Sequence, residues 1–411
     1  MITKFHIRNF KQLKDVSMDC REINVVIGPN GAGKSSLLQS IDFLKAFVMS
    51  SVQHYMEIRN IALRDLLHAR SFNNRTARKA FMEWDVWFEL PGEDREPARR
   101  YRYRVRYGIK HSMRENIWLA SGDTWHQLLN RNYKQYELST PHGEEVAGDF
   151  LNPEAGFMAS ITEEDRERYP DILRLKRFIE GIQTFLIWDP SVLRTRSRGS
   201  HDVIGPHGQN LAAVLAELKQ RDPRRFNQLV GRLKRVLPNL RDIAIKGIRS
   251  GWKEIGLVEN NQDGNIAFNH RQISDGTLRL IAIALIRYGL RYHSVVSFEE
   301  PENGVHPPIL REVVRMIEEL TQLKPERRTQ IFLTTHNPYL LDLFNERPET
   351  IFILEKGDGE TGALMTRLSE ETIRSAKLLF DHSLGNLWYS DFLPGREEAG
   401  HEGAPDSGRR D

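Results

Sequence analysis

The chain has one cysteine, Cys20, among its 411 residues. A lone thiol excludes a disulfide framework and any cysteine-built metal hook, and it points to a reducing compartment, so the expected location is cytoplasmic. Long apolar runs are missing as well. The longest, Leu280 to Ile286, is bracketed by Arg279 and Arg287 and is far too short to span a bilayer. No charged-then-apolar signal pattern opens the sequence, and no membrane partner is expected. Charge of one sign is also lacking. Lys and Arg number 59 against 56 Asp and Glu, a formal net charge of +3. That is too small for a global affinity for nucleic acid, so any basic patch must be local. No long heptad repeat is present, which excludes an extended coiled-coil arm. The length suffices for one large or two ordinary cores. The stretch 396–411, rich in Gly, Glu and Arg, reads as a disordered tail.

What is present begins at Gly28-Pro29-Asn30-Gly31-Ala32-Gly33-Lys34-Ser35, which fits GxxxxGK[ST]. The run Ile23 to Ile27 before it reads as a buried strand, and Ser36 to Ile41 after it opens an amphipathic helix. Strand, glycine turn and helix together make a phosphate cradle. Gly28, Gly31 and Gly33 let backbone N–H groups approach phosphate oxygens, beside Asn30 and Ser36, and the helix N-terminus adds positive potential. In this motif Lys34 reaches the β/γ-phosphates and Ser35 holds Mg²⁺, so the expected ligands are ATP and Mg²⁺.

A β-hairpin (Thr3 to Ile7, then Val16 to Met18) precedes that motif. Alternating apolar and polar residues over 80–90 and 101–107, with strand-like runs over 117–138, predict an antiparallel β insertion. The period turns helical over 165–187 and 208–237. Between these, Arg194 to Ser200 reads as a basic, mobile loop. Short strands return over 252–268, a helix is expected from Arg279 to Leu290, and buried strands over 294–298 and 330–334. Helices alternating with strands predict a mainly parallel sheet.

The discriminating residues lie far downstream of the P-loop. Val295 to Glu300 is an apolar strand ending in two carboxylates, which is what phosphoryl transfer needs beside a P-loop. Glu299 is assigned to the metal shell and Glu300 to the attacking water. Ser274 and Gly276 stand at a helix start as a second anion-binding cap. His336, at the end of the strand Ile331 to Thr334, is placed to contact a γ-phosphate. Each also has an ordinary reading: Ser274-Asp275 as a helix cap, Asn303-Gly304 as a turn, His336 as a loop histidine.

Taken in order, these segments resemble the stand-alone ABC-type ATPase heads of the SMC, RecF and OLD group. The opening Ile2 to Lys11 is similar to their first strand. Ser274 to Arg279 matches their signature, Glu299 to Pro307 their Walker B and D-loop, Thr334 to Pro338 their switch, and Leu384 to Tyr389 their closing segment. The resemblance implies an α/β P-loop NTPase of the ABC-ATPase head type, a mainly parallel sheet with flanking helices and an antiparallel β and helical insertion. It implies an ATPase core over 1–49 and 255–395, with the insertion and signature lobe over 50–254. It further implies ATP hydrolysis by a head-to-tail homodimer. One subunit supplies Lys34, Ser35, Glu299, Glu300 and His336, and the other Ser274 and Gly276. Glu299 replaces the usual Asp and is longer by one methylene, so slow turnover is expected. Asp275 and Thr277 replace the Gly and Gln of the transporter signature, and Asn337 stands where Ser is commoner. Gln183 is the candidate for the Q-loop glutamine.

The process driven by such a switch stays open between two classes. Arg100, Arg102, Arg104 and Arg106 share one strand face, with Tyr101, Tyr103 and Tyr107 on the other. Such a face either tracks DNA phosphates or protects an edge strand by charge. Arg194, Arg196 and Arg198 are a second basic candidate. A DNA clamp or repair factor is one reading. The other is a nucleotide-sensing regulatory subunit, in anti-phage defence or toxin control, that docks a separate effector protein and not DNA. Glu355 to Asp358 reads as a turn between strands, since too little chain follows to build a Toprim nuclease.

Overall fold

The computed structural model describes residues 1–49, 51–68, 80–92, 97–108, 112–140, 143, 145–185, 189–262, 264–323, 328–357, 362–368, 383–390 and 393. The tail expected over 396–411 lies outside the described residues. Alternating apolar residues bury one face of the hairpin formed by Ile2–Phe10 (β1) and Leu13–Asp19 (β2). Its turn holds Asn9 and Lys11 at φ of 57° and 50°, a left-handed backbone rarely taken by non-glycine residues. Ile23–Ile27 (β3) is buried throughout, as a strand inside a parallel sheet must be. The glycine turn then feeds Lys34–Phe43 (α1), Val52–Ile58 (α2) and Leu63–Leu66 (α3).

Six strands extend the hairpin: Phe81–Leu90 (β4), Arg99–Gly108 (β5), Met113–Ser121 (β6), Thr124–Asn132 (β7), Gln135–Ser139 (β8) and Glu145–Asp149 (β9). The resulting eight-stranded antiparallel sheet has the order β2-β1-β4-β5-β6-β7-β8-β9. It crosses the boundary expected at residues 49 and 50, because β1 pairs directly with β4 in the register Ile7↔Trp84. Its inner face packs on α1. Trp84 stacks on Phe43 with centroids 5.2 Å apart and donates its indole N–H to Ser40 O at 2.9 Å. Arg131 and Glu115 form an ion pair with no exposed side-chain surface on either partner. Tyr103 and the Phe157 N–H also donate to Glu115, so the charge is compensated inside the core.

The next elements run Pro170–Glu180 (α4), Ile182–Phe185 (β10), Pro190–Leu193 (α5), Ser197–Arg198 (β11), Leu211–Arg221 (α6), Pro223–Lys234 (α7), Leu240–Gly247 (β12), Trp252–Asn261 (β13) and Gly264–Asn269 (β14). The helical period expected over 165–187 therefore stops at Gly181. Ile182-Gln183-Thr184-Phe185 leaves it to pair in parallel with a central strand, because β-branched and aromatic residues suit a buried sheet. The basic loop expected at Arg194 to Ser200 contains β11, which pairs with β13. Arg196 bonds Glu254 at 3.1 Å and the Arg198 guanidinium lies 5.7 Å from the Trp252 ring centroid.

The chain closes with Asp275–Tyr288 (α8), Val295–Glu299 (β15), Pro307–Glu318 (α9), Gln330–Thr334 (β16), Pro338–Asp342 (α10), Ile351–Glu355 (β17), Leu364–Arg367 (β18) and Leu384–Tyr389 (α11). The second sheet has the order β10-β15-β16-β3-β17-β18, parallel except for β18. It lies between two cores. Val25 and Ile27 face a cluster built with α6 to α9, whereas Val26 faces α1 and the antiparallel sheet. No described helix is long and apolar enough to cross a membrane.

His293, just before β15, is enclosed, and burial pulls its imidazole down to about 4, with Lys45 and Arg291 adding to the shift. An unfolded histidine titrates near 6.5, so on acidification the unfolded state takes the proton first. Stability is therefore expected to fall by roughly 3 kcal/mol as pH drops from about 6.5 toward 4. Urea midpoints at several pH values should show this slope in the wild type and a flatter one in His293→Gln.

Candidate functional site

Parallel register brings three distant segments level. Val26 of β3 lies beside Thr334 of β16, which lies beside Glu299 of β15. The residues after each strand therefore emerge together at the carboxyl edge of the sheet, where open α/β sheets place their ligands. There the Gly28–Gly33 turn has φ of 156° at Gly28, 80° at Gly31 and 109° at Gly33. A Cβ on Gly28 would sit 2.2 Å from Leu354 O, so the close approach to β17 requires glycine. Asn30 and Gly31 are exposed at the tip of the turn.

Lys34, mostly buried at the start of α1, turns its ammonium back onto the loop, donating to Gly28 O at 2.7 Å and Pro29 O at 3.1 Å. Burial holds its pKa below the usual lysine range, opposed by Glu300, Glu299 and Glu302. Ser35 donates its hydroxyl to Glu299. Hydroxyl and carboxylate oxygens are the hard donors Mg²⁺ takes, so this pair fits that ion. Ser36 instead donates to Gln12 of the β1–β2 turn.

Glu300 has φ of 45°, a left-handed backbone secured by its N–H to Thr334 O at 3.0 Å. Such a conformation costs on the order of 1–3 kcal/mol and persists where surrounding structure enforces it. It brings the carboxylate to His336 Nδ1 at 2.9 Å and to the Asn303 amide at 2.7 Å. Thr335 donates to Glu302 at 2.5 Å and accepts the Asn337 N–H at 2.9 Å, which ties D-loop to switch. Ser274 caps α8 by accepting the Thr277 N–H at 3.2 Å. Its neighbours are held by Arg194, which bonds Ile273 O and Asp275 at 2.5 Å each. A Cβ on Gly276 would lie 3.5 Å from Gly304 O, so the signature helix starts against the D-loop of its own chain.

The fold thus brings together Lys34, Ser35, Glu299, Glu300 and His336. Among the described hydrogen bonds, none joins Ser274 or Gly276 to the P-loop. Gln183 lies on β10 and contacts Lys45 at 3.5 Å, with no described bond to Ser35 or Glu299. Gln12, Asn303, Glu302 and Thr335 had no assigned role from sequence. Glu302, Asn303 and Thr335 fall inside recognised motifs, but the partners that give them a role are supplied by the fold.

The arginine stripe is largely committed within the chain. Arg102 grips Asp85 with two bonds of 2.8 and 2.7 Å, while Arg104 and Arg106 both reach Glu83, at 2.8 and 2.7 Å. Arg100 donates to Gly122 O at 2.5 Å. Tyr101, Tyr103 and Tyr107 are fully buried on the other face.

Comparison with known proteins matches residues 23–342 to the family described as "AAA domain, putative AbiEii toxin, Type IV TA system". That span runs from β3 to α10 and holds the P-loop, signature, Walker B and switch. The chain is also 31% identical to the OLD nuclease of Thermus scotoductus over 55 residues, which is 13% of this chain and 10% of that protein. It therefore spans about a tenth of that relative's length. Among solved structures, the SMC head domain from Thermotoga maritima aligns with a TM-score of 0.45 and 12% identity, covering 90% of this chain and 99% of that one.

Burial raises the Glu302 carboxyl above the usual range, and its Oε2 has no hydrogen-bond partner. The folded protein therefore holds a proton there that the unfolded chain releases near pH 4.5, and stability is lost as pH rises through that window. Glu302→Gln is expected to gain thermal stability relative to the wild type as pH rises above about 4.5. A difference that stays constant with pH contradicts a raised carboxyl pKa at this position.

Proposed function

The chain belongs to the AAA-domain family matched over residues 23–342, and from that premise we propose that it is an ATPase switch. It binds and hydrolyses ATP, and the cycle closes and opens a head-to-tail dimer that acts on a separate effector protein. One observation carries this reading: Lys34, Ser35, Glu299, Glu300 and His336 converge on one sheet edge through parallel register.

In this mechanism the Lys34 ammonium leaves the carbonyls of Gly28 and Pro29 for the β/γ-phosphates. Backbone N–H groups of the glycine turn and the start of α1 cradle the same oxygens. Ser35 and Glu299 would hold Mg²⁺, which would supply positive charge against the phosphate oxygens. Glu300, oriented by His336 and Asn303, positions the attacking water and accepts its proton, giving ADP and phosphate. Ser274 and the N–H groups at the start of α8 serve the nucleotide of the partner subunit; among the described hydrogen bonds none joins them to their own P-loop. ATP joins the two heads, and hydrolysis loosens them.

The pairing of Arg102, Arg104 and Arg106 with Asp85 and Glu83 favours a protein effector over DNA. Glu83 and Asp85 offset two of the four positive charges of the stripe and hold three of its guanidinium groups, which lowers its capacity to displace counterions from a phosphate backbone. The matched family, described as a putative toxin of a type IV toxin–antitoxin system, and the likeness to an OLD nuclease support a setting in anti-phage defence or toxin control.

Light scattering during gel filtration of Glu300→Gln, with and without Mg-ATP, tests the switch. The expected result is an ATP-dependent shift from monomer to dimer with phosphate release reduced at least about 100-fold, and no shift in Lys34→Ala. Wild-type turnover in Glu300→Gln removes that residue from the mechanism. Changing Arg100, Arg102, Arg104 and Arg106 to Glu is expected to leave retention on DNA unaltered at every salt concentration. A salt-dependent loss of retention would restore the DNA reading.

A further inference from the structure

A cavity of about 620 Å³ lies along the far half of the P-loop helix, away from the phosphate turn. Its walls come from α1, the β1–β2 turn, α2, the end of β10 and the loop Val203–Gln209. None of its lining residues belongs to the Gly28–Ser35 turn, and Glu299, Glu300 and His336 do not reach it. The volume falls within the roughly 300–1,000 Å³ of ordinary small-molecule sites.

The charge balance of this cavity is one-sided. Lys11, Lys45 and Arg59 line it against a single carboxylate, Asp42. Asp42 already serves two of the three, at 3.0 Å from Lys45 and 2.6 Å from Arg59. Lys11 makes no ion pair among the described residues, and its ammonium donates to the neutral Gln39 amide at 2.5 Å. Burial is the main pull on that ammonium, lowering its pKa. Asp65 and Glu299 oppose that shift from beyond ion-pair distance, so the half-buried cation lacks only a contacting counterion, an arrangement that a bound anion relieves.

Two further features define what the anion must carry. Phe10, Phe43 and Tyr55 supply aromatic wall, and Arg59 sits 4.0 Å from the Tyr55 ring centroid. Thr184, only 3% exposed, also lines the cavity, and its hydroxyl has no hydrogen-bond partner among the described residues. Buried hydroxyl groups are rarely left so, and a ligand atom would satisfy this one.

We infer that this cavity is a second ligand site, distinct from the ATP site, for a small organic anion with an aromatic ring, the chemistry of a nucleoside monophosphate. The anion sits against Lys11 and Lys45, the ring against the aromatic wall, and a polar ring or ribose atom takes the Thr184 hydroxyl. Gln183 and Gln39 supply amide groups on either side.

The test uses the full chain carrying Lys34→Ala, which silences the P-loop, so its outcome does not depend on the ATPase reading. The probe is fluorescent mant-AMP, followed by anisotropy. Saturable binding of one probe per chain is expected, weakened about tenfold or more by Lys11→Glu, a change of about 1.4 kcal/mol. Thr184→Val, close to isosteric, is expected to weaken it as well and keeps the test sound if Lys11→Glu fails to fold. Unlabelled AMP should displace the probe, and inorganic phosphate should do so far less well. Absence of saturable binding, indifference to both substitutions, or phosphate competing as strongly as AMP overturns the proposal.

Discussion

The contact of Ser35 with Glu299 joins residues 264 positions apart, and it exists because β3, β16 and β15 lie side by side in one parallel register. Side chains alternate faces along a strand, so a one-residue slip of β15 would turn Glu299 and the residues beside it to the other face. The same register sets the level at which His336 meets Glu300. It also supplies the Thr334 carbonyl that holds Glu300 in its left-handed conformation. Phosphate turn, carboxylates and switch histidine are three separate loops. Only the hydrogen-bonded ladder beneath them makes them one site.

The antiparallel sheet serves that ladder from one side. Its inner face, through Trp84, Phe5 and the buried tyrosines, clamps α1 and so fixes the helix whose first turn carries Lys34 and Ser35. Its outer face spends most of its arginines on Glu83 and Asp85, and the Arg102 guanidinium lies 4.7 Å from the Trp87 ring centroid and 5.2 Å from that of Trp118. Charge on a strand face, read alone, cannot distinguish a binding surface from a surface neutralised by the next strand. Here the next strand holds the partners.

α1 has a second wall. Its first turn carries Lys34 and Ser35 of the phosphate turn, and its later residues, Gln39 and Asp42, line the cavity that Lys11 also lines. The adjacent Gln12 accepts the Ser36 hydroxyl, so one short turn of the hairpin touches both regions. Strain at Asn9 and Lys11 is the local cost of that placement. On the opposite flank, Arg194 and the Gly276–Gly304 contact lock the signature helix against the D-loop. The start of that helix is therefore oriented by its own chain, and among the described hydrogen bonds none joins it to the phosphate turn.

Sequence by itself determined the chemistry carried by contiguous motifs. The P-loop, the paired carboxylates after an apolar strand and the histidine after another were legible because each lies within a few residues, where spacing and side-chain type suffice. The fold class followed from their order. Local periodicity also placed most strands and helices, and it failed at Ile182 to Phe185, where four residues are too few to show a period and parallel pairing with β15 decided the outcome. Everything that depends on a partner far along the chain came only from the tertiary structure. The pairing of Arg102, Arg104 and Arg106 with Asp85 and Glu83 needs the β4–β5 register. The enclosed Glu302, the anchors of Glu300 and the surplus cation at Lys11 need their neighbours in space. The physical reason is common to all of these. A side chain's type states what it can bind, whereas desolvation and pairing set what it does bind, and both are properties of the packed molecule.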